Sequence, residues 1–127
     1  MLNELAKEIY EGNKKRGFWD EDDPANHVGV KLMLIVTELA EAMEADRKDK
    51  YGTLSDIDKA EILDEPSNNV FNTDFEGFIK DTFQDELADT LIRLLDLCGK
   101  LDINIDLHLA AKMRYNSLRS YKHGKKY

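Results

Sequence analysis

Apolar residues recur every three to four positions along most of the chain, which is the pattern of amphipathic helices. Residues 2–15 form the first such segment, and a first helix is predicted there that ends near Gly17. Pro24 predicts the start of a second helix, because proline is favoured at the first helical position. That second helix is predicted over about residues 25–47.

The middle of the chain, residues 48–76, is rich in glycine, aspartate and asparagine, which interrupt any long period. A short helix is predicted around residues 55–63. Another is predicted to begin near Asp74, with Thr73 or Asp74 as its N-terminal cap.

Two more segments complete the helical pattern. A long helix is predicted to end at about Lys100, and a last helix runs from Ile105 to about Ser120. The sequence contains no strand pattern, repeat or glycine-rich phosphate loop. The chain is therefore predicted to be a single all-α domain over residues 1–127, a bundle of about four to five helices.

One four-residue phrase, acid-Leu-Ala-acid, occurs in both long helices. It reads Glu38-Leu39-Ala40-Glu41 in the first and Glu86-Leu87-Ala88-Asp89 in the second. Acids three positions apart lie about 60° apart around a helix and one turn along it, so each phrase presents two carboxylates on one flank. Two such helices packed together would bring four carboxylates to one place. With no histidine near either phrase, this set predicts a site for Mg²⁺, with Mn²⁺ as a substitute ion.

Chance also produces such pairs, because 26 of the 127 residues are acidic and roughly five pairs at this spacing follow from composition alone. These two phrases differ because each lies on one side of an apolar stripe, whereas a solvated charged face would be centred opposite it. The stripes consist of Val28, Leu32, Ile35, Leu39 and Met43 on the first helix, and of Phe83, Leu87, Leu91, Leu94, Cys98 and Leu101 on the second. Periodicity alone leaves a solvated acidic flank and a metal cage as equal alternatives.

Charge and composition narrow the range of functions. The formal net charge of −8 argues against binding of a nucleic-acid polymer, which depends on Lys and Arg neutralising phosphates. A small phosphorylated ligand held through a metal ion stays compatible. The single cysteine, Cys98, is expected to be a buried thiol in a reducing compartment. Without a signal-peptide pattern or a long apolar run, a cytoplasmic protein with no membrane partner is expected.

The last predicted helix carries a row of basic and amide side chains. Lys112, Asn116, Arg119 and, if the helix continues so far, His123 follow a spacing that places them on one face. This row is either an ordinary solvated face or a set of donors for phosphate oxygens. In the second case lysine acts as a point charge and arginine as a bidentate fork.

The two acidic phrases and the basic last helix together resemble the MazG-like all-α nucleoside triphosphate pyrophosphohydrolases. The resemblance covers residues 28–43 and 85–123. In that family, helices with E-x-x-E and E-x-x-D hold the Mg²⁺ ions that bind the triphosphate. The corresponding residues in this chain are Glu38, Glu41, Glu86 and Asp89. The resemblance also implies substrate contacts by Lys112, Asn116 and Arg119, and an obligate homodimer or a larger assembly such as a homotetramer.

Two features depart from the family pattern. Many members carry a further glutamate before the first acid, whereas this chain has Thr37, so the number of metal ions stays open. The stretch over residues 48–76 is also longer than in compact members, and its role is open.

The resemblance implies Mg²⁺-dependent hydrolysis of a nucleoside or deoxynucleoside triphosphate to the monophosphate and pyrophosphate. Glu41 is the candidate general base, because no histidine is well placed. Trp19 is a candidate for stacking on the base, with plain core packing as the alternative.

The sequence is also compatible with two other classes of protein. One is a non-catalytic helical interaction module whose acidic phrases are solvated flanks. The other is a di-iron carboxylate bundle, which is disfavoured because it needs Glu-x-x-His pairs from two helices and none surrounds His27, His108 or His123.

Overall fold

The described part of the protein is built from helices. A computed structural model describes residues 1–52, 54 and 61–127, with His123 as backbone alone. No strand occurs within these residues, so the all-α prediction is confirmed for them. The short helix predicted around residues 55–63 lies largely outside the described residues, of which 61–63 are helical. The other elements are α1 (Leu2–Lys15), α2 (Val28–Arg47), α3 (Asn68–Phe78), α4 (Phe83–Lys100), α5 (Ile105–Ser117) and a 3₁₀ helix (Tyr121–Gly124).

The chain divides into two compact units, and the boundary falls within α4. We call Met1–Asn26 together with Leu95–Tyr127 the terminal unit, and His27–Leu94 the central unit. The central unit contains both acidic phrases, and the terminal unit contains the basic last helix. The prediction of one domain over the whole chain stays a prediction.

The core of the terminal unit lies between α1 and the C-terminal part of α4. Its members are Ala6, Leu95 and Cys98, with Leu2, Ile9 and Ile105 packed against them. Gly99 permits this close approach, because a Cβ there would lie 2.7 Å from the Cβ of Tyr10 and closer still to a carbonyl oxygen of α1. Cys98 is buried, as predicted, and its burial raises the pKa of the thiol.

Side chains from the start of α5 cap α1. The Asp106 carboxylate accepts the N–H groups of Leu2 at 3.0 Å and Asn3 at 2.9 Å, which have no partner inside the helix. Hydrogen bonds from the Asn3 and Leu2 backbones lower the pKa of Asp106. Asn104 caps α5 in turn, because its Oδ1 accepts the N–H of Leu107 at 3.2 Å.

The second helix begins at Val28, three residues after the predicted start. Pro24 lies in a turn in which the Asp23 carboxylate accepts the N–H of Ala25 at 2.8 Å. The Asn26 side chain donates to two carbonyls of the preceding loop, at 3.1 and 3.0 Å. These local hydrogen bonds compete with helix formation, so Pro24 does not open α2.

The prediction of a helix start near Asp74 was wrong. The helix α3 begins at Asn68, because Ser67 caps it: Ser67 Oγ accepts the N–H of Val70 at 3.3 Å. Thr73 lies inside α3, where its hydroxyl donates to a carbonyl one turn earlier at 3.0 Å. α3 ends at Phe78, before α4 begins at Phe83. The end of α4 at Lys100 is as predicted.

The last helix ends at Ser117, three residues before the predicted end. Leu118 forms its C-terminal cap, and the chain then enters the short 3₁₀ helix over Tyr121–Gly124. Arg119 therefore follows α5 and does not share its regular face. The same holds for the backbone of His123.

The helix α2 buries a different face from its apolar stripe. Its buried residues are Glu38, Ala42 and Ala45, whereas Leu32 and Leu39 of the stripe are both 47% exposed. An exposed apolar face of this kind is a common feature of interaction surfaces. Among the described helices, none has both the length and the apolar composition that a membrane crossing requires.

Candidate metal centre

Three carboxylates from two helices converge in the central unit. Glu38 and Glu41 come from α2 and Glu86 comes from α4, and one oxygen from each lies within 4.8 Å of the others. Glu38 and Glu86 are buried, whereas Glu41 is exposed. The structure thus brings the two acidic phrases together, with both acids of the first and one of the second.

Capping at the start of α4 places Glu86. Thr82 is buried, its hydroxyl accepts the N–H of Asp85 at 3.3 Å, and its carbonyl accepts the N–H of Glu86 at 3.1 Å. Asp85 Oδ2 accepts the N–H of Asp81 at 2.9 Å, which fixes the chain just before the helix. Glu86 therefore lies in the first turn of α4, on the side that faces the acids of α2.

Crowding shifts the proton affinity of these acids. Burial raises the pKa of Glu86 from its ordinary value of 4.5 to about 7, and hydrogen bonding and charge from Glu41 and then Glu38 add to the shift. The pKa of Asp89 is also raised, first by burial and then by the charge of Asp85. The raised pKa favours protonation of Glu86, so a cation that binds there competes with a proton.

Asp89, the fourth predicted ligand, does not belong to the convergent group. The groups of acids within reach of one ion, in the described chain, are Glu38-Glu41-Glu86 and Asp81-Asp85-Glu86. Asp89 is half-buried and close enough for the charges of Glu38 and Glu41 to raise its pKa. Its role as a ligand stays a prediction.

Sequence reasoning missed Arg93, which is bonded to the cluster. Arg93 Nε donates to Glu38 Oε1 at 2.6 Å, across 55 residues of sequence. Arg93 follows Glu86 by seven residues, or about two turns of α4, so helical spacing alone places it on the same side. The guanidinium holds the Glu38 carboxylate in place and offsets part of the negative charge of the cluster.

The donor set fits a hard divalent cation. Every member of the convergent group is a carboxylate, and neither histidine nor cysteine belongs to it. Oxygen-only ligands suit Mg²⁺ and Mn²⁺ and do not favour softer ions such as Zn²⁺. Hydrogen bonding and charge from Glu41 and Glu38 contribute to the raised pKa of Glu86, and a bound cation would relieve this repulsion between the acids.

The predicted phosphate-binding residues belong to the terminal unit. Lys112 Nζ lies 5.2 Å and Arg119 Cζ 5.5 Å from the ring centroid of Tyr115, so one aromatic ring carries both cations. Asn116 is exposed on α5 between them. Their role in binding phosphates stays a prediction.

Trp19 is also in the terminal unit, and its contacts favour core packing. It is 7% exposed, and its Nε1 donates to Asp96 Oδ1 at 2.9 Å. Its ring meets that of Tyr10 edge-on, with centroids 5.8 Å apart. Stacking of Trp19 on a nucleobase stays a prediction.

Comparison with known proteins does not add a relative. No protein-family model matches the chain, and neither the curated proteins nor the solved structures contain a match. An assignment of activity therefore depends on the geometry and chemistry of the acidic cluster and on the motif resemblance.

Proposed function

We propose that the chain is a Mg²⁺-dependent nucleoside triphosphate pyrophosphohydrolase. The observation that carries the proposal is the convergence of Glu38, Glu41 and Glu86 from the two acidic phrases. Carboxylate clusters of this kind bind Mg²⁺, which keeps further positions for water and substrate phosphates. The resemblance to MazG-like enzymes implies that the cleaved bond is the one between the α and β phosphates.

Each acid has a separate task in the proposed reaction. When bound, Mg²⁺ or Mn²⁺ neutralises charge on the phosphates and makes a nearby water more acidic. Glu38, Glu41 and Glu86 would hold the ion, and Asp89 completes the predicted set. The exposed Glu41 also accepts a proton from the water that attacks the α-phosphorus. The bond from that phosphorus to the bridging oxygen breaks, pyrophosphate leaves, and the proton passes from Glu41 to solvent.

The remaining parts of the proposal concern the substrate and the assembly. Lys112, Asn116 and Arg119 donate to phosphate oxygens. Stacking of Trp19 on the base stays a prediction, since its contacts favour core packing. The exposed apolar stripe of α2 supports a homodimer or a homotetramer, because a second copy would remove it from water.

The products test the reaction class directly. With Mg²⁺ and a panel of ribo- and deoxyribonucleoside triphosphates, we expect a nucleoside monophosphate and pyrophosphate in equal amounts. Separation of the nucleotides by anion-exchange chromatography, with a pyrophosphate assay beside it, measures both products. Release of orthophosphate and a nucleoside diphosphate by phosphatase-free protein would contradict the proposal.

Substitution of Arg119 tests the phosphate donors. Arg119→Lys keeps the charge but loses the bidentate fork, so we expect KM to rise about tenfold with kcat nearly unchanged. Arg114→Lys, at an exposed arginine of α5 five residues earlier, is the matched control. Steady-state kinetics with the best substrate measure both constants. Unchanged constants in Arg119→Lys would identify the row as a solvated face.

A non-catalytic helical interaction module is the second candidate. The exposed apolar side chains of α2, among them Val36 at 50% and Met43 at 51%, favour it. Such a module has no reason to gain stability from Mg²⁺, whereas a metal centre gains it by mass action.

A further inference from the structure

A cleft of about 330 Å³ opens beside the candidate metal centre, within the central unit. Its lining includes Glu41 and Glu86 of the centre and two lysines, Lys48 and Lys50, that belong to neither acidic phrase. Glu44, Ala45 and Asp81 complete the described lining. Two lysines and two carboxylates of the candidate metal centre therefore line the same cleft.

The end of α2 fixes the backbone of Lys50. Asp49 has a φ of 53°, the left-handed conformation that often terminates helices, and the Lys50 N–H donates to the carbonyl of Ala45 at 2.8 Å. The Lys50 carbonyl accepts the N–H of Phe83 at 2.8 Å. Phe83 is the first residue of α4, and its N–H would otherwise have no backbone partner. Lys50 is thus joined to both helices that supply the acids.

Gly52 continues this attachment two residues later. Its N–H donates to Gln84 Oε1 at 2.8 Å. A Cβ at Gly52 would lie 3.0 Å from the Thr82 methyl and 3.2 Å from the carbonyl oxygen of Phe78, so a larger residue would push the segment away from the turn between α3 and α4. Residues 48–52 are therefore packed closely against the same turn that places Glu86.

The two lysines differ in their ion pairs. Lys48 Nζ lies 3.4 Å from Glu44 Oε1, one turn earlier on α2. Lys50 forms no ion pair within the described parts of the chain, and its side chain is exposed. A lysine on a fixed backbone, with an ammonium group that is not committed to a carboxylate, is suited to bind a phosphate as a point charge.

We propose that Lys50 binds the pyrophosphate moiety of the nucleoside triphosphate in this cleft. The inference rests on the proposed function and adds a cationic contact from the central unit, where the acids also lie. The geometry favours this role because Lys50 lines the same cleft as Glu41 and Glu86, so a phosphate bound to an ion held by these acids would lie beside Lys50. Lysine and carboxylate then act on different oxygens of one polyphosphate.

The experiment measures binding without turnover. The probe is imidodiphosphate, a pyrophosphate analogue that is not hydrolysed, titrated calorimetrically into the full chain with Mg²⁺. We expect Lys50→Gln to weaken binding about tenfold, the loss typical of one charge-assisted contact, and Lys50→Arg to restore most of it. Lys80→Gln is the matched control, because Lys80 is an exposed lysine of the central unit that does not line the cleft.

Two further measurements separate phosphate binding from a structural role. Lys50→Gln should leave the circular dichroism spectrum unchanged, because the hydrogen bonds that hold Lys50 in place are made by its backbone. Affinity for Mg²⁺ alone should be unchanged or higher in Lys50→Gln, since a nearby cation has been removed. Weaker binding of Mg²⁺ alone would assign Lys50 to the cluster and overturn the proposal.

The outcomes distinguish this inference from the proposed function. If wild type hydrolyses a nucleoside triphosphate but Lys50→Gln binds imidodiphosphate as tightly as Lys80→Gln does, the inference is wrong and the proposed function stands. If wild type neither hydrolyses any triphosphate of the panel nor binds imidodiphosphate with Mg²⁺, both are wrong.

Discussion

Replacement of Glu41 by Gln is expected to lower kcat of Mg²⁺-dependent hydrolysis by about 10²–10⁴-fold, the range found when a general base is lost. The substitution keeps the size of the side chain but removes a charged ligand and a proton acceptor. The fold should persist, because Glu41 is exposed and its removal reduces repulsion with Glu86. Single-turnover assays with circular dichroism on the same samples measure both effects.

Glu76→Gln is the matched control for this experiment. Glu76 is an exposed acid of α3 in the same unit, and it belongs to neither group of convergent carboxylates. Its replacement changes the net charge equally and should leave kcat unaltered. Full activity in Glu41→Gln would remove the basis of the proposed centre.

The stability of the metal-free protein is expected to fall as the pH rises from about 5 to 8. The folded-state pKa of Glu86, about 7, is above its ordinary value of 4.5, so the folded state binds the proton more tightly than the unfolded state. The corresponding stabilisation is fully present below pH 4.5 and is lost as the pH rises through 7. Its size is on the order of 3 kcal/mol. Burial is the largest cause of the raised pKa, and the nearby carboxylates of Glu41 and Glu38 on α2 add to it.

Glu86→Gln isolates this effect from other titrating groups. The variant has no proton to lose at this position, so its free energy of unfolding should depend less on pH over the same range. Urea denaturation in EDTA at pH 5, 6, 7 and 8 measures both proteins. Parallel curves for the two proteins would show that Glu86 titrates normally.

Addition of Mg²⁺ should reverse the loss in wild type. A ligand that binds only the folded state stabilises it by about 2.7 kcal/mol at 100 times its dissociation constant. The gain should be larger at pH 8 than at pH 5, because the ion competes with a proton for Glu86. An interaction module with solvated acidic flanks would show no such gain.

Helical periodicity predicted most of the fold, and local hydrogen bonds account for the differences. The extent of α1 and the end of α4 follow from long, regular segments. The start of α3 was misplaced, because in a segment rich in capping residues the sequence does not show which of Ser67, Thr73 and Asp74 forms the cap. Pro24 was likewise held in a turn by its neighbours.

The acids of the candidate site were predictable, whereas the groups around them were not. The repeated phrase identified Glu38, Glu41 and Glu86 because all three lie on helices with a regular period. Arg93 and Lys50 depend on contacts between segments distant in sequence, and periodicity does not determine how far one helix is shifted along another. Glu38 is buried while the neighbouring apolar stripe is largely exposed, and this too depends on how the helices pack, which periodicity does not determine.

The position of the only tryptophan has a practical consequence for studies in solution. Trp19 is buried in the terminal unit with its indole bonded to Asp96, while the acids lie in the central unit. The fluorescence of Trp19 therefore monitors unfolding of the terminal unit, which lacks the acidic cluster. Circular dichroism monitors the helices of both units. Coincidence of the two transitions is a test of cooperative unfolding. A shift of the fluorescence midpoint on addition of Mg²⁺ would show that the terminal unit unfolds together with the unit that binds the ion.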